Sequence, residues 1–147
     1  MISLIAAVAA LVAGLAALRT PAVEDRLFDA ALEKAMNGPG ARVFESEGLK
    51  VFFCGTGSPL PSAKRAQTCT AVIAGDRFFI VDAGSGSFET VQAAGISAGR
   101  LAGVFLTHFH SDHIGDLSEI NLGSWVTARP APLPVHGPDG VERVVAG

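Results

Sequence analysis

The 147-residue sequence has little of several features that would assign a protein class at once. Its two cysteines are too few for a four-cysteine zinc site or a disulfide-rich scaffold. Its net charge is only −3. The chain therefore lacks the excess of basic residues that would indicate an extended nucleic-acid surface. We find no internal repeat and no low-complexity tract apart from an apolar stretch at the start. Hydrophobic residues make up 49% of the chain, which is ample for the core of one domain.

The apolar stretch covers residues 2–18, carries no charge and consists mainly of Ala, Leu, Val and Ile. It predicts a signal peptide or a short membrane anchor, and therefore an exported protein, periplasmic or extracellular, that stays at the membrane if the segment is not cleaved. The alternative is a buried helix, because the stretch is slightly shorter than the roughly 20 residues that usually span a bilayer. We assign residues 1–20 to this segment, 21–40 to a helical linker and 41–147 to the domain.

The two cysteines, Cys54 and Cys69, lie on either side of one loop. In an oxidising compartment they can pair if their strands are neighbours. The sequence favours the other interpretation, because a free cysteine is commonly a small buried hydrophobe.

Hydrophobic periodicity predicts a mixed α/β domain. We expect an amphipathic helix over residues 22–36, a strand over 49–53, a turn-rich loop to about residue 67, and a hairpin of residues 70–74 and 77–81. A short helix over 88–94 and a buried strand over 101–106 follow, then helical spacing of apolar residues from 114 to 120 and a helix that begins near 141. The sheet is therefore predicted to be mostly antiparallel at its start.

Three of the four histidines fall within six residues directly after the strand over 101–106. His108 and His110 are two residues apart, so in extended chain they point the same way and can bind one ion, and the turn brings Asp112 and His113 toward a second. Imidazole and carboxylate suit zinc, manganese or iron(II) and leave open positions for water, as a hydrolase requires. Asp112 is alternatively a base or a residue that orients a ligand. A solvated histidine-rich loop is the disfavoured alternative.

This motif, with Asp82 at the end of an earlier strand, resembles the metallo-β-lactamase superfamily over residues 49–147. Further segments are similar to its ribonuclease Z and arylsulfatase-like branch: Gly55-Thr56-Gly57-Ser58-Pro59 with Arg65, Val81-Asp82-Ala83-Gly84, Leu106-Thr107-His108, Trp125 and His136-Gly137-Pro138.

The resemblance implies an αβ/βα four-layer sandwich with two zinc ions at the sheet edges. It implies that His108 and His110 hold the first ion and Asp112 and His113 the second, while Asp82, with Thr107 beside the motif, keeps the ligands aligned. The family supplies its remaining ligands, two His and an Asp, from the second half of the sandwich, and this sequence ends before them. We therefore expect the N-terminal half of such an enzyme. His136 is not counted as a ligand, because the family generally has a non-ligating Tyr or His there.

The function implied is hydrolysis of a phosphodiester or aryl sulfate ester by attack of a metal-bound water. A lactonase or β-lactamase acting on a carbonyl centre is the enzymatic alternative, and an inactive fragment or weak metal-binding module is the other. Export favours a small-molecule ester over RNA. Lys64 and Arg65 either attract such an anion or are simply solvated. Substrate, native metal, leader cleavage and a homodimer stay open.

Overall fold

The computed structural model of the chain describes residue 14 and residues 20–36, 39–60 and 62–146. The chain divides into two compact units, Met1–Met36 and Asn37–Gly147. The segment predicted as a leader, residues 2–18, lies outside the described residues except for residue 14. In the part that is described, no helix is long and apolar enough to cross a membrane.

The first unit contains helix α1 (Pro21–Met36), which confirms the helix predicted over residues 22–36. Thr20 precedes it, and its carbonyl accepts hydrogen bonds from the backbone N–H groups of Val23 and Glu24, at 2.9 and 3.0 Å. Proline suits the first helical position, because a backbone N–H at this position would have no hydrogen-bond partner within the helix.

The second unit is built on a five-stranded sheet with its strands in chain order. The strands are β1 (Leu49–Gly55), β2 (Cys69–Ala74), β3 (Arg77–Val81), β4 (Leu101–Phe105) and β5 (Val135–His136). The first three pair antiparallel, as predicted, whereas β4 is parallel to both β3 and β5. The direction changes because a tight turn joins β2 to β3, whereas a helical crossover joins β3 to β4.

Four helices accompany this sheet among the described residues: α2 (Ser87–Ala93), α3 (Ser111–Ile114), α4 (Leu117–Val126) and α5 (Val141–Ala146). Two 3₁₀ helices, Pro39–Phe44 and Ala98–Arg100, precede β1 and β4. The helical spacing predicted from residue 114 to 120 is confirmed, but Gly115 and Asp116 divide it between α3 and α4.

One face of the sheet forms the core. Side chains of β2 and β3 alternate between buried and partly exposed, so Ile73, Phe78 and Ile80 point to the same side. Val91 of α2 and Ile120 of α4 are fully buried in the same cluster. The helices therefore cover this face.

The opposite face is apolar as well but much less covered. Cross-strand pairing aligns Val51 with Val72 and Val72 with Phe79, and the rings of Phe79 and Phe105 lie 5.9 Å apart. The exposed fractions of Val51 and Phe53 are 52% and 66%. We call this surface the open face; it consists of Leu49, Val51, Phe53, Val72, Phe79 and Phe105.

Cys54 and Cys69 form a disulfide between β1 and β2, with Cα atoms 5.0 Å apart. The expectation that both are buried is confirmed, but the preference for free thiols was wrong. Cys54 lies at a register irregularity between Phe53 and Gly55, which brings it next to the first residue of β2. Sequence spacing does not reveal such a neighbour.

Candidate metal centre

The histidine motif begins where β4 ends, as the sequence predicts. Two residues after Phe105 the chain reaches Thr107, and His110 stands in extended conformation, with ψ at 150°, directly before α3. Leu106 donates its backbone N–H to the carbonyl of His136 at 2.7 Å, which ties the start of the motif to β5.

The three imidazole rings of the motif form one cluster with His108 at its centre. The ring centroid of His108 lies 3.9 Å from that of His113 and 4.6 Å from that of His110. His110 is exposed and the other two are half-buried, so a substrate can reach the cluster from solvent. The structure thus brings together the three histidines that the sequence singles out.

Asp82 lies behind the cluster and is almost entirely buried, at 3% exposure. Its carboxylate accepts hydrogen bonds from the backbone N–H of Thr107 at 2.8 Å and from the Thr107 hydroxyl at 2.9 and 3.0 Å. The Nδ1 atom of His113 lies 2.9 Å from the same carboxylate. Asp82 and Thr107, expected to align the ligands, therefore contact the motif directly.

Asp112 is also buried, at 4% exposure, and its Oδ2 atom lies 3.5 Å from Nε2 of His113. The loop after β3 packs tightly against its backbone. A Cβ atom added at Gly84 would lie 2.3 Å from the Asp112 carbonyl oxygen. Only glycine permits this approach, which fixes α3 against the loop that carries Asp82.

Sequence reasoning missed Asp116, a buried carboxylate directly before α4. Its Oδ2 accepts hydrogen bonds from the backbone N–H of Phe88 at 3.0 Å and from the Ser87 hydroxyl at 3.3 Å, so it caps helix α2 from a distant segment. Its backbone N–H donates to Ala83 at 2.8 Å. The local sequence suggests a cap for α4, where no side-chain cap bond forms.

His136 and the pair Lys64 and Arg65 lie outside the cluster. The His136 ring stacks on that of Phe105, with centroids 4.9 Å apart and planes at 18°. Lys64 and Arg65 are exposed on the loop between β1 and β2.

The donor set fits a transition metal by its chemistry. Imidazole and carboxylate side chains are grouped at an accessible strand end, and a carboxylate hydrogen-bonded to the Nδ1 atom of a histidine is the arrangement that commonly orients metal ligands. Across the described residues, however, no group of three or more His, Cys, Asp and Glu side chains is arranged to hold one ion. The residues are thus suitable, but their donor atoms do not converge here.

The fold and this motif together define a metallo-β-lactamase-fold protein of the ribonuclease Z branch. A family model described as "Anti-Pycsar protein Apyc1" matches residues 49–136, and the chain belongs to this family.

Curated relatives named ribonuclease Z support the branch. That of Mycobacterium bovis is 47% identical over 100 residues, covering 66% of this chain and 36% of the relative. That of Mycolicibacterium paratuberculosis is 43% identical over 101 residues, covering 67% of this chain and 36% of the relative. The chain thus spans about a third of the length of the curated relatives it matches.

Solved structures agree on the fold. The metallo-β-lactamase fold protein YhfI from Bacillus subtilis has a TM-score of 0.59 and 26% identity, covering 69% of this chain and 41% of YhfI. The short form of human tRNase Z gives the same TM-score and identity, covering 65% of this chain and 36% of that enzyme.

Proposed function

We propose that the whole protein is a metal-dependent hydrolase of phosphodiesters. The observation that carries this proposal is the cluster of His108, His110 and His113 at the end of β4, with a buried carboxylate bonded behind it. Similarity to proteins named ribonuclease Z and tRNase Z supports a phosphodiester as the bond that is cut.

His108 and His110 would hold one ion, and Asp112 and His113 the second, with zinc the expected metal and manganese or iron as alternatives. A bound ion supplies Lewis acidity that polarises the phosphoryl group and makes water a stronger nucleophile.

Hydrogen bonds within the chain orient His108 and His113 for metal binding. The Asp82 carboxylate only accepts, so Nδ1 of His113 carries its proton and Nε2 presents a lone pair. The Thr107 hydroxyl donates to Asp82 and lies 3.0 Å from Nδ1 of His108, from which it accepts, so Nε2 of His108 is also left with a lone pair. With the Thr107 hydroxyl donating to Asp82, the network favours the tautomer that presents Nε2 in both neutral rings.

Asp112 would orient the attacking water or accept its proton. Its burial suits this role, because a carboxylate shielded from bulk solvent interacts more strongly with a nearby proton donor.

The finer identity of the substrate is also a proposal. The names of the relatives point to RNA, whereas the apolar residues 2–18 support an exported protein, membrane-held if uncleaved, that acts on a small ester. An aryl sulfate or a carbonyl centre is the competing bond type, and an inactive or weakly metal-binding chain is the non-enzymatic alternative.

The test combines metal content with a substrate panel. We expect the purified chain to bind zinc and the double variant His108→Ala/His110→Ala to lose most of it, measured by mass spectrometry of bound metal. His136→Ala, a histidine outside the cluster, is the matched control and should retain the metal.

We expect the whole protein to hydrolyse bis(p-nitrophenyl) phosphate but not an aryl sulfate, a lactone or nitrocefin. Unchanged metal content in the double variant would refute the ligand assignment. Metal binding with turnover of only the sulfate, lactone or nitrocefin would refute the phosphodiester.

A further inference from the structure

We propose a second binding site, for the phosphate group of a small phosphate ester, in a cleft lined by Arg77, Arg100 and Arg129. The cleft has a volume of about 440 Å³, and Asp76 is the acidic residue among its lining residues. Three guanidinium groups and one carboxylate leave this cleft positive, although the chain as a whole has a net charge of −3. We call it the arginine cleft.

The arginine cleft lies at the opposite end of β4 from the histidine cluster. Arg100 directly precedes the strand, whereas the motif follows its last residue, Phe105. A five-residue strand that rises about 3.3 Å per residue separates the two by roughly 16 Å. The cleft is therefore not part of the candidate metal centre.

Two of the guanidinium groups are held in place by neutral partners. Arg129 donates from Nη2 to Asn121 at 2.8 Å, from Nε to the Ser124 hydroxyl at 3.0 Å, and from Nη1 to the carbonyl of Ala131. These contacts fix the guanidinium without neutralising its charge, and they use three of its five N–H donors.

Arg100 is oriented in a similar way. Its Nη1 donates to the backbone carbonyl of Asp76 at 3.3 Å, and its Cζ lies 4.7 Å from the centroid of the Phe44 ring. Within the cleft, Arg77 forms an ion pair with Asp76 at 3.9 Å, and both side chains are largely exposed. An exposed pair of this length contributes little, so most of the positive charge remains available to an anion.

The backbone next to Arg100 and Arg129 has one close contact and one left-handed residue. A Cβ atom at Gly99 would lie 2.1 Å from the carbonyl oxygen of Thr127, so only glycine lets the turn before Arg100 contact the end of α4. Ala128 then adopts a left-handed conformation, with φ at +67°, immediately before Arg129. The contact between Gly99 and Thr127 therefore brings the segments that carry Arg100 and Arg129 side by side.

The lining of the arginine cleft indicates a small ester rather than a free ion. Guanidinium groups bind phosphate oxygens in a paired fork geometry. The rest of the wall is apolar and includes Pro130, Pro132 and Pro134, which suits the organic part of the ligand. The volume falls within the range of small-molecule sites, about 300–1,000 Å³. This inference needs neither a metal nor hydrolysis and stands apart from the proposed function.

The test is a titration of the ¹⁵N-labelled full chain in chelator at low salt, followed by two-dimensional NMR. The probes are inorganic phosphate and adenosine monophosphate. We expect amide shifts in residues 99–102 and 129–131 and none in residues 107–113. The nucleotide should bind about tenfold more tightly than phosphate, because it also uses the apolar wall.

Charge-removing variants show which side chains of the arginine cleft contribute to nucleotide binding. Arg100→Gln and Arg77→Gln should each weaken nucleotide binding about five- to tenfold, and Asp76→Asn should strengthen it about twofold. Arg26→Gln in α1 makes the same change in net charge as the two arginine variants and should leave the affinity unchanged. The spectra also report whether each variant is folded.

Three results would overturn the proposal. Shifts confined to residues 107–113 would place the anion at the histidine cluster. Equal weakening by Arg26→Gln would show that only net charge matters. Equal affinity for phosphate and nucleotide would exclude a small ester as the ligand class.

Discussion

Asp82 has a positive backbone φ of 61°, and its carboxylate accepts hydrogen bonds from two different residues. Such a conformation costs most residues with a side chain roughly 1–2 kcal/mol, and aspartate is among the few that adopt it more readily. The surrounding bonds hold it there, since the backbone N–H of Asp82 donates to Phe105 at 2.9 Å and Gly84 is anchored to Thr68. The strain thus places a carboxylate where it orients His113.

The first prediction at this scale concerns Asp82→Asn. The amide keeps the size of the side chain but can donate as well as accept, so it no longer fixes the proton of His113 on Nδ1. We expect zinc affinity to fall about 10–100-fold, as is typical when a carboxylate behind a metal-ligating histidine is lost. Competition with a chromophoric chelator measures the change.

Asp76→Asn is the matched control, because that aspartate is exposed and lies outside the histidine cluster. Equal zinc affinities in Asp82→Asn and the unmodified chain, with both folded, would contradict the orienting role.

Single residues were predictable where their partners are near in sequence or in a known motif. The three histidines and Asp112 stand out by their spacing, and Asp82 stands out through the family resemblance. Asp116 did not, because its partners Ser87 and Phe88 are 29 and 28 residues away and its own local sequence suggests a different cap. A side chain that caps a distant helix leaves no periodic signal.

At the scale of elements, helix α4 ends in a Schellman motif with alanine where glycine is usual. Ala128 donates its N–H to the carbonyl of Trp125 at 3.0 Å and Arg129 donates to that of Ser124 at 3.0 Å. A Schellman motif requires a left-handed residue directly after the helix C-cap, and Ala128 occupies that position with φ at +67°. The two hydrogen bonds therefore hold the end of α4 in this conformation although Ala128 is strained.

The second prediction is that Ala128→Gly stabilises the chain. Glycine adopts this conformation without the clash of a Cβ atom, and its greater freedom in the unfolded chain offsets part of the gain, so we expect about 0.5–1 kcal/mol. The free energy of unfolding in urea measures it. Ala94→Gly, at a helix C-cap with φ at −74°, should instead destabilise by a similar amount. Destabilisation by both variants would mean that Ala128 is not strained.

The third prediction concerns the disulfide between β1 and β2. It closes a loop with a sequence separation of 15, for which the entropic stabilisation is about 3 kcal/mol. We expect reductant to lower the melting temperature by roughly 10 °C or more, given the usual size dependence of melting. Differential scanning fluorimetry with and without reductant detects the shift.

The double variant Cys54→Ala/Cys69→Ala is the control. Its melting temperature should be close to that of the reduced chain and should not change when reductant is added. Two reactive thiols in the unreduced, denatured chain would contradict the pairing.

The elements themselves were largely predictable, because each strand and helix carries its own periodicity. The hairpin around Gly75 and the strand before the motif are confirmed. Two features were not predictable: the division between α3 and α4 at Gly115, and the pairing of Cys54 with Cys69. Both depend on which segments lie side by side, and local periodicity does not contain that information.

At the scale of the molecule, the sheet is apolar on both sides, and among the described residues of the second unit the helices cover one of them. β1 is an edge strand, and its outward side chains Leu49, Val51 and Phe53 are 52–70% exposed. The relatives of this chain are nearly three times as long as the region they share with it. The family resemblance implies a four-layer sandwich, of which this chain was expected to hold the N-terminal half with one sheet face uncovered, but hydrophobic alternation alone does not say what covers that face.

The last prediction follows from the open face. Contiguous exposed apolar surface next to an unpaired strand edge favours contact between identical chains, so we expect this chain to self-associate at micromolar concentration. Val51→Thr/Phe53→Thr should shift it toward the monomer in sedimentation velocity, since threonine keeps the strand propensity but removes apolar area. Val126→Thr is the control on α4, because Val126 is 70% exposed and is not part of the open face. If the unmodified chain sediments as a monomer up to high concentration, or if both variants act alike, the open face is not what drives association.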